Sequence, residues 1–461
     1  MFKLKKLAVS TVLILSGCVS FAPEYQQPDL PVPQQFSLSQ NRLITPGTTL
    51  ADSRWQTFFA HPAVRAVIAS ALAHNPDLTL AALKVEEARA QLQLSQSNQR
   101  PQLDGETALT RQQRIKGDAG SGSTVTAALT ASYELDLFGQ LKNLSEADRQ
   151  NLLASEQARR AVQIALIANV AQSYFNQQLA LNQLAIARQT WQSYQQSYHF
   201  VEQQLIVGGS NLLAVEQARG VIDSAQADIE KRQGELAQAN NALQLLVGYQ
   251  APVTAASLSP DDTLHQLRLP AHLSSAILRQ RPDIMEAEHQ LKAADANIGA
   301  ARAAFYPAIS LTSGLSTTSD ALGSLFSPVS GLWNFIPKIT IPIFNGSRNE
   351  SNLQLATIRQ QQAVANYQKK IQLAFREVAD ALSLRDSLQQ QINARQRYLK
   401  SLEISRSRAQ RLYSAGAISY IEVLDAERQL FATQQTILDL KYSQQVNEIN
   451  LFVALGGGWA A

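Results

Sequence analysis

The sequence predicts a mixed fold, long α-helices joined to a transmembrane β-barrel, built from two copies of one helix–hairpin–helix unit. Three observations carry this. The 461-residue chain repeats itself at an offset of 206 to 208 residues. Two stretches of nearly seventy residues contain nothing that breaks a helix. One strand-length segment alternates between small or apolar and mostly polar side chains.

The repeat constrains the fold most. Asn75-Pro76-Asp77-Leu78 returns as Arg281-Pro282-Asp283-Ile284, and Arg100-Pro101 as Tyr306-Pro307. Leu135, Leu137 and Phe138 return as Ile341, Ile343 and Phe344, Gly208 as Gly416, and Leu243 and Gly248 as Leu451 and Gly456. Each copy has the same order: helix, two strands, a very long helix, a tight turn and another helix. The division is a leader at 1–17, an extended segment at 18–61, a first repeat at 62–273 and a second at 274–461.

The leader comes first. Lys3, Lys5 and Lys6 precede an apolar run from Leu7 to Leu15 that is too short to span a bilayer, the pattern of a signal peptide. Leu15-Ser16-Gly17-Cys18 resembles the lipobox of bacterial lipoproteins, which implies cleavage before Cys18, acylation of its thiol and, with Val19 following, the outer membrane. Losing the three lysines takes the formal charge from +3 to zero, so the mature chain is no electrostatic partner for nucleic acid. With one cysteine, an intrachain disulfide and a multi-cysteine metal site are excluded.

Helices are expected over Pro62 to Gln99 and Ser274 to Phe305, where Ala, Leu and Ile recur at helical spacing up to a proline. From Gly139 to Val207 and from Gly346 to Ala415 a helix of about 68 residues would be roughly 100 Å long. Gly208-Gly209 and Gly416 supply turns, and helices return to Val247 and Leu455. The charge-free stretch between Arg160 and Arg188 holds nine amide or hydroxyl side chains, which would each need a partner in hydrocarbon. It reads as a buried, partly wet helix. The 52 glutamines of the chain suit long helices packed side by side with one wet face.

In Thr124 to Leu137 one face carries Val125, Ala127, Leu129, Ala131, Tyr133, Leu135 and Leu137, and the other Thr124, Thr126, Ala128, Thr130, Ser132, Glu134 and Asp136. This is the signature of a strand with lipid outside and water inside, with Glu134 and Asp136 in the lumen. Leu103 to Arg111, Ala308 to Thr318 and Leu332 to Phe344 are weaker versions, the last interrupted by Pro337 and Pro342. Four strands cannot close a membrane barrel, and an open sheet would expose its edges to lipid. Strands must be pooled with further copies of the chain. The sequence permits two, three or four.

The lipobox, the duplicated plan and the segment Tyr413-Ser-Ala-Gly416-Ala-Ile-Ser-Tyr420-Ile-Glu422-Val-Leu-Asp425-Ala426 together resemble the outer-membrane efflux protein family. The likeness covers essentially the whole mature chain. Pro33 to Ser39, Asn240 to Leu245, Arg281 to Glu288, Trp333 to Lys338 and Ala454 to Trp459 are similar to its copper/silver branch. The resemblance implies a homotrimer with a 12-stranded barrel continuous with a helical periplasmic tunnel. A collar would be formed by Phe21 to Asn41, Tyr249 to His272 and the C-terminal tail. It further implies docking, through a periplasmic adaptor, onto an inner-membrane resistance–nodulation–division pump.

By the same resemblance the turns at Gly208, Gly209 and Gly416, with Tyr413 and Tyr420, lie at the periplasmic tip where the adaptor docks. Glu422 and Asp425 match acidic tunnel-mouth positions. The family's arginine and aspartate gate pair is replaced here by Ile418 and Ala214, so other contacts must hold any closed state.

Nothing resembles catalysis. The six histidines show no metal-protease spacing and no phosphate-binding loop is present, so the chain is expected to be neither an enzyme nor a cofactor protein. Met285 and His289, four apart on a helix, could hold a soft ion. Their repeat partners Thr79 and Leu83 mark packing positions instead, and no metal site is assigned. Two other readings stay open: a drug-efflux channel of the same family, and a structural outer-membrane lipoprotein without a pore.

Overall fold

The structure, a computed structural model, describes residues 20–36, 54–112, 122–249, 264, 273–327 and 331–457. Cys18, the first hairpin loop, residues 328–330 of the second and most of the 249–272 connection lie outside these residues. The elements run α1 (Trp55–Phe58), α2 (Pro62–His74), α3 (Pro76–Ser97), β1 (Gln102–Gln112), β2 (Gly122–Leu135), α4 (Gln140–Ile206), α5 (Leu212–Val247), α6 (Pro282–Ala303), β3 (Ala308–Ser319), β4 (Gly331–Thr340), α7 (Arg348–Ser414) and α8 (Tyr420–Ala454).

The duplication is visible residue by residue. Helices α4 and α7 have 67 residues each, and α3 and α6 have 22 each. Among the described residues the six positive-φ glycines fall into three repeat pairs: Gly139 with Gly346, Gly208 with Gly416, and Gly248 with Gly456. At the second pair the turn is the same motif twice. Gly209 N–H donates to the Gln204 carbonyl and Ala417 N–H to the Leu412 carbonyl, closing the helix ends around a left-handed glycine.

One expectation is corrected. The first helix of each repeat is not continuous. Asn75 takes an extended conformation (φ −72°, ψ 126°) between α2 and α3, and Arg281 does the same (φ −70°, ψ 134°) between a 3-10 turn at Ser275–Gln280 and α6. The prolines that follow, Pro76 and Pro282, exclude the helical conformation at the preceding residue while fitting the first turn of the next helix.

The chain forms two compact units that cut across the repeats, each taking matching pieces of both. The first holds residues 1–29, 83–157 and 285–369, including all four strands. They make one antiparallel sheet in the order β1-β2-β3-β4. Its register aligns like with like. Leu103 faces Ala131, which faces Ser313 and then Phe335; Gly105 leads through Leu129 and Leu315 to Trp333; and Leu135 leads through Ile309 to Ile339. The alternate rows carry Asp104, Glu106, Thr130, Glu134, Ser310, Asn334 and Lys338, with Leu332 and Ile336 the apolar exceptions. Because side chains alternate along a strand, residues opposite one another share a face.

β4 stops at Thr340, short of the expected Phe344, so Pro342 lies beyond it, and Pro337 sits in an edge strand where a missing N–H is tolerated. β2 likewise stops at Leu135.

The second unit holds residues 30–82, 158–284 and 370–461. One core gathers Phe58 and Phe59, Ile68 of α2, Tyr174 and Phe175 of α4, Leu243 of α5 and Phe452 of α8, with Phe58 stacked on Phe452 at 4.2 Å. The amide-rich stretch of α4 is a helix whose polar groups pair sideways. Gln177 Nε2 donates to Asn240 Oδ1 at 2.7 Å, and Gln183 Nε2 to Asp439 Oδ1 at 2.8 Å. No helix among the described residues is long and apolar enough to cross a membrane.

Candidate functional site

The turns after α4 and α7 belong to the second unit, and a small-residue and aromatic cluster joins the helices around them. Tyr194 and Val201 of α4, Ala218 and Val221 of α5, and Tyr420, Val423 and Leu424 of α8 are buried together. Tyr420 is 3% exposed, its hydroxyl 2.9 Å from Ser197 Oγ and its ring 5.4 Å from Tyr413. Tyr413 is half-buried, with its hydroxyl 3.3 Å from Ser210 Oγ and its ring edge-on to Phe200. Both tyrosines act here as packing groups that tie the two turns together. Tyr420 offers no surface to a partner. What the turn exposes instead is Ile206, Val207, Leu212 and Leu213, each at least two-thirds exposed. The signal for them was in the sequence, since apolar residues crowd both sides of Gly208-Gly209 where a solvated turn would be polar.

Glu422 and Asp425 are both exposed in the first turns of α8. Asp425 accepts a hydrogen bond from Gln429 Nε2 at 2.6 Å, and Gln429 in turn accepts from the Tyr398 hydroxyl of α7. Three residues apart, the two carboxylates share one helix face. Beside them, α4, α5 and α8 frame a cleft of about 440 Å³ lined by Glu216, Asp228, Ile421, Leu424 and Arg428.

The other acidic pair separates. Glu134 stays in β2, on the face shared with Asp104, Glu106 and Lys338. Asp136 lies past the strand end, and its carboxylate accepts from the backbone N–H of Lys142 at 2.7 Å, satisfying an orphan donor in the first turn of α4. Met285 and His289 form no ligand pair. His289 Nδ1 lies 2.8 Å from Gln150 Oε1, and burial holds the imidazole below its usual range. No group of metal-ligating side chains is found among the described residues.

One group near the turns was not anticipated. Glu427 is 4% exposed, with Oε1 3.4 Å from both Arg406 Nε and Nη2 and 3.3 Å from Gln410 Nε2, while Oε2 has no partner. Arg406 also donates to Ser193 Oγ at 2.6 Å, so the pair clamps α8 to α7 and α4. Burial outweighs the arginine and raises the carboxyl above its usual value. A folded-state value above the unfolded one stabilises fully below the unfolded pKa, near 4.5, and is lost as pH climbs through the folded value. Acidification from neutrality towards pH 4.5 is therefore expected to raise the hydrogen-exchange protection factors in the α7–α8 turn, taken against the intrinsic exchange rate at each pH. Glu427→Gln should flatten that dependence, and an unchanged pH profile in the variant would refute it.

The outer membrane efflux protein family matches residues 67–249 and 273–457. Over 459 residues the chain is 61% identical to the probable outer membrane lipoprotein SilC of Salmonella typhimurium, covering 100% of both. It is 60% identical to the cation efflux system protein CusC of Escherichia coli strain K12, over 98% of this chain and 99% of that one. A crystal structure of CusC, described as showing transmembrane channel formation, superposes with a TM-score of 0.89 over 95% of this chain and 100% of that chain, at 60% identity. Identity to the solvent efflux pump outer membrane protein SrpC of Pseudomonas putida is 39%, over 99% of each chain. Both repeats, the four strands and the paired turns thus lie within one family: the chain belongs to the outer membrane efflux proteins.

Proposed function

We propose that this chain is the outer-membrane exit duct of a tripartite efflux system and that it passes copper or silver ions handed on by an adaptor and an inner-membrane resistance–nodulation–division pump. The observation that carries the reading is the sheet. Its register collects leucine, isoleucine and aromatic side chains on one face and Asp104, Glu106 and Glu134 on the other, and neither β1 nor β4 has an outer partner within the chain among the described residues. Such a sheet is stable in lipid only when copies join edge to edge, and three copies give a 12-stranded barrel with an acidic, wet lumen. Cys18 carries the lipid anchor. The cation assignment is supported by 60% identity to a cation efflux protein against 39% to a solvent efflux protein.

The turns with Gly208, Gly209 and Gly416 form the periplasmic tip, and the exposed leucines and valine beside them take the adaptor. In a trimer Glu422 and Asp425 form two carboxylate rings whose potential favours cations. Replacing Glu422 by Gln and Asp425 by Asn together is expected to leave trimers intact. Under a salt gradient in planar bilayers the reversal potential should shift towards zero, with weaker block by multivalent cations. An unchanged reversal potential would move the selectivity filter to the barrel acids. Absence of any conductance in the wild-type chain would favour a structural lipoprotein.

A further inference from the structure

The first unit holds a cleft that the duct reading does not use. It measures about 470 Å³, within the range of small-molecule sites, and lies between the extended segment at 20–25, the start of α4 and the middle of α6. Its charges are mostly committed. Arg149 is held by Glu146 through two bonds of 2.7 Å, and Lys292 by Glu288 at 2.8 Å, with its ammonium 4.7 Å from the centre of the Tyr25 ring. Two charged groups on the wall have no ion pair among the described residues: the exposed Lys142 ammonium and the carboxylate of Asp295, which is 7% exposed. Of the acids nearest to Lys142 in sequence, Glu146 is held by Arg149 and Gln150, with Lys142 adding only the weakest attraction, and Asp136 accepts from a backbone N–H. Asp295 accepts a hydrogen bond from the Gln360 side chain but has no counter-ion, and burial raises its carboxyl above the usual value in spite of that bond.

A third group lacks a partner altogether. Asn143, 3% exposed, accepts from Ser20 Oγ at 2.8 Å through Oδ1, but its Nδ2 donor is buried without a partner. Leaving such a donor unpaired costs about 1–3 kcal/mol. The cleft therefore offers a cation without an ion pair and an unpaired donor at neighbouring positions of α4, and on α6 a carboxylate that has a hydrogen bond but no counter-ion.

Its position in the fold is equally specific. Gln99 on its wall stands three residues before β1, and Lys142 and Asn143 follow shortly after β2. Phe21, Tyr306 and Phe138 stack in series where strand gives way to helix, with centroids 4.7 and 4.8 Å apart. Aromatic side chains at the end of a lipid-facing sheet mark the level of the headgroups. The segment entering the cleft at Ser20 is the one that follows the lipidated Cys18 in sequence.

We propose that this cleft binds the headgroup of an ethanolamine phospholipid, with its phosphate on Lys142 and Asn143 Nδ2 and its ammonium on Asp295. The inference rests on reading the sheet as a membrane barrel. An anionic headgroup with no ammonium would leave Asp295 without a counter-ion. The ester and amide carbonyls of the chain's own anchor would leave both charges unmatched. Only a zwitterion supplies an anion to Lys142, an acceptor to the Asn143 donor and a cation to Asp295.

The test uses the full-length lipidated trimer extracted into detergent, with native mass spectrometry after incubation with phosphatidylethanolamine, with phosphatidylglycerol, or with free O-phosphoethanolamine. The wild type is expected to retain up to one phosphatidylethanolamine per chain, about tenfold more tightly than phosphatidylglycerol, a preference matching one partly buried ion pair of about 1.4 kcal/mol. Asp295→Asn should remove most of that preference, and Lys142→Gln should weaken retention of both lipids. Conductance in planar bilayers should be unchanged in both variants, which separates failure of this site from failure of the duct reading. Equal retention of the two lipids by the wild type, or unaltered retention in both variants, would overturn the proposal. So would free O-phosphoethanolamine binding as well as the lipid, since the ligand would then be a solute. Protection of the Lys142 ammonium from acetylation in lipid-free trimers would show a neighbouring copy filling the cleft and would overturn it too.

Discussion

Leu129→Arg is expected to cost about 2–4 kcal/mol of assembled barrel in a bilayer, because a guanidinium near the middle of a lipid-facing strand must leave water without a partner. Leu129 sits in the middle of β2, in the row that runs Gly105, Leu129, Leu315, Trp333, and it is 45% exposed in the single chain. The glycine opposite it leaves space on the sheet but supplies no charge to pair with an arginine. The neighbouring residue reverses the expectation. Thr130 lies in the row of Asp104, Gly314 and Asn334, so Thr130→Arg would place its charge over an acidic face and should assemble nearly as well as the wild type. The comparison is read as the yield of trimers in lipid nanodiscs and the temperature at which they dissociate. Loss in Leu129→Arg with retention in Thr130→Arg fixes which face meets lipid. The opposite result would turn the barrel inside out, and equal loss in both would show that the sheet does not sit in a membrane.

The face of each strand was legible because period-2 alternation depends only on the backbone pleat, and Thr124 to Leu135 carries it without interruption. Which strands pair was not, since alternation fixes parity and leaves register free. The ends of β2 and β4 were overestimated for the same reason: Ile341, Ile343, Leu137 and Phe138 continue the apolar pattern after the ladder has stopped. The long helices were readable from the absence of any breaker, and their ends from glycines that must adopt positive φ. The interruption at Asn75 and Arg281 was missed because the apolar period runs straight through it and proline is welcome in a first helical turn. Tyr420 was assigned to the docking tip by resemblance alone, and an aromatic beside a turn does not disclose in sequence which way it faces. Glu427 looked like any other acid in a helix rich in glutamate and glutamine. Its role depends on Arg406, 21 residues earlier on another helix, and no spacing rule joins the two.

Arg281→Ala is expected to be the most damaging single change outside the sheet, at about 3–5 kcal/mol, the cost of breaking a buried ion pair from one side. The side chain is only 9% exposed and uses its whole fork. Nε and Nη2 hold both oxygens of Asp283 at 3.0 and 2.8 Å, while Nη1 reaches Glu377 of α7 at 2.8 Å and the Ala454 carbonyl of α8 at 3.0 Å. Three helices therefore meet on one guanidinium, and its proton is held more tightly than in water by the two carboxylates. The repeat supplies an internal control. In the first copy Asn75 does the same work without charge, donating from Nδ2 to the Leu246 carbonyl at 3.0 Å and accepting from Asp77 N–H at 2.9 Å. Leu246 and Ala454 are repeat partners, so the same helix end is tied down twice, once by an amide and once by an ion network. Asn75→Ala should accordingly cost only about 1–2 kcal/mol, the loss of a helix cap. Arg281→Lys should fall between the two alanine variants, because an ammonium cannot hold Asp283 through two parallel bonds while also reaching Glu377 and Ala454. Hydrogen exchange at the C-terminal end of α8 and the first turn of α6 reports the local loss, and the urea midpoint of the trimer the global one. If Arg281→Ala opens α8 no more readily than Asn75→Ala opens α5, the network is ornamental and the helix end is held by the apolar contacts of Phe452 with the core.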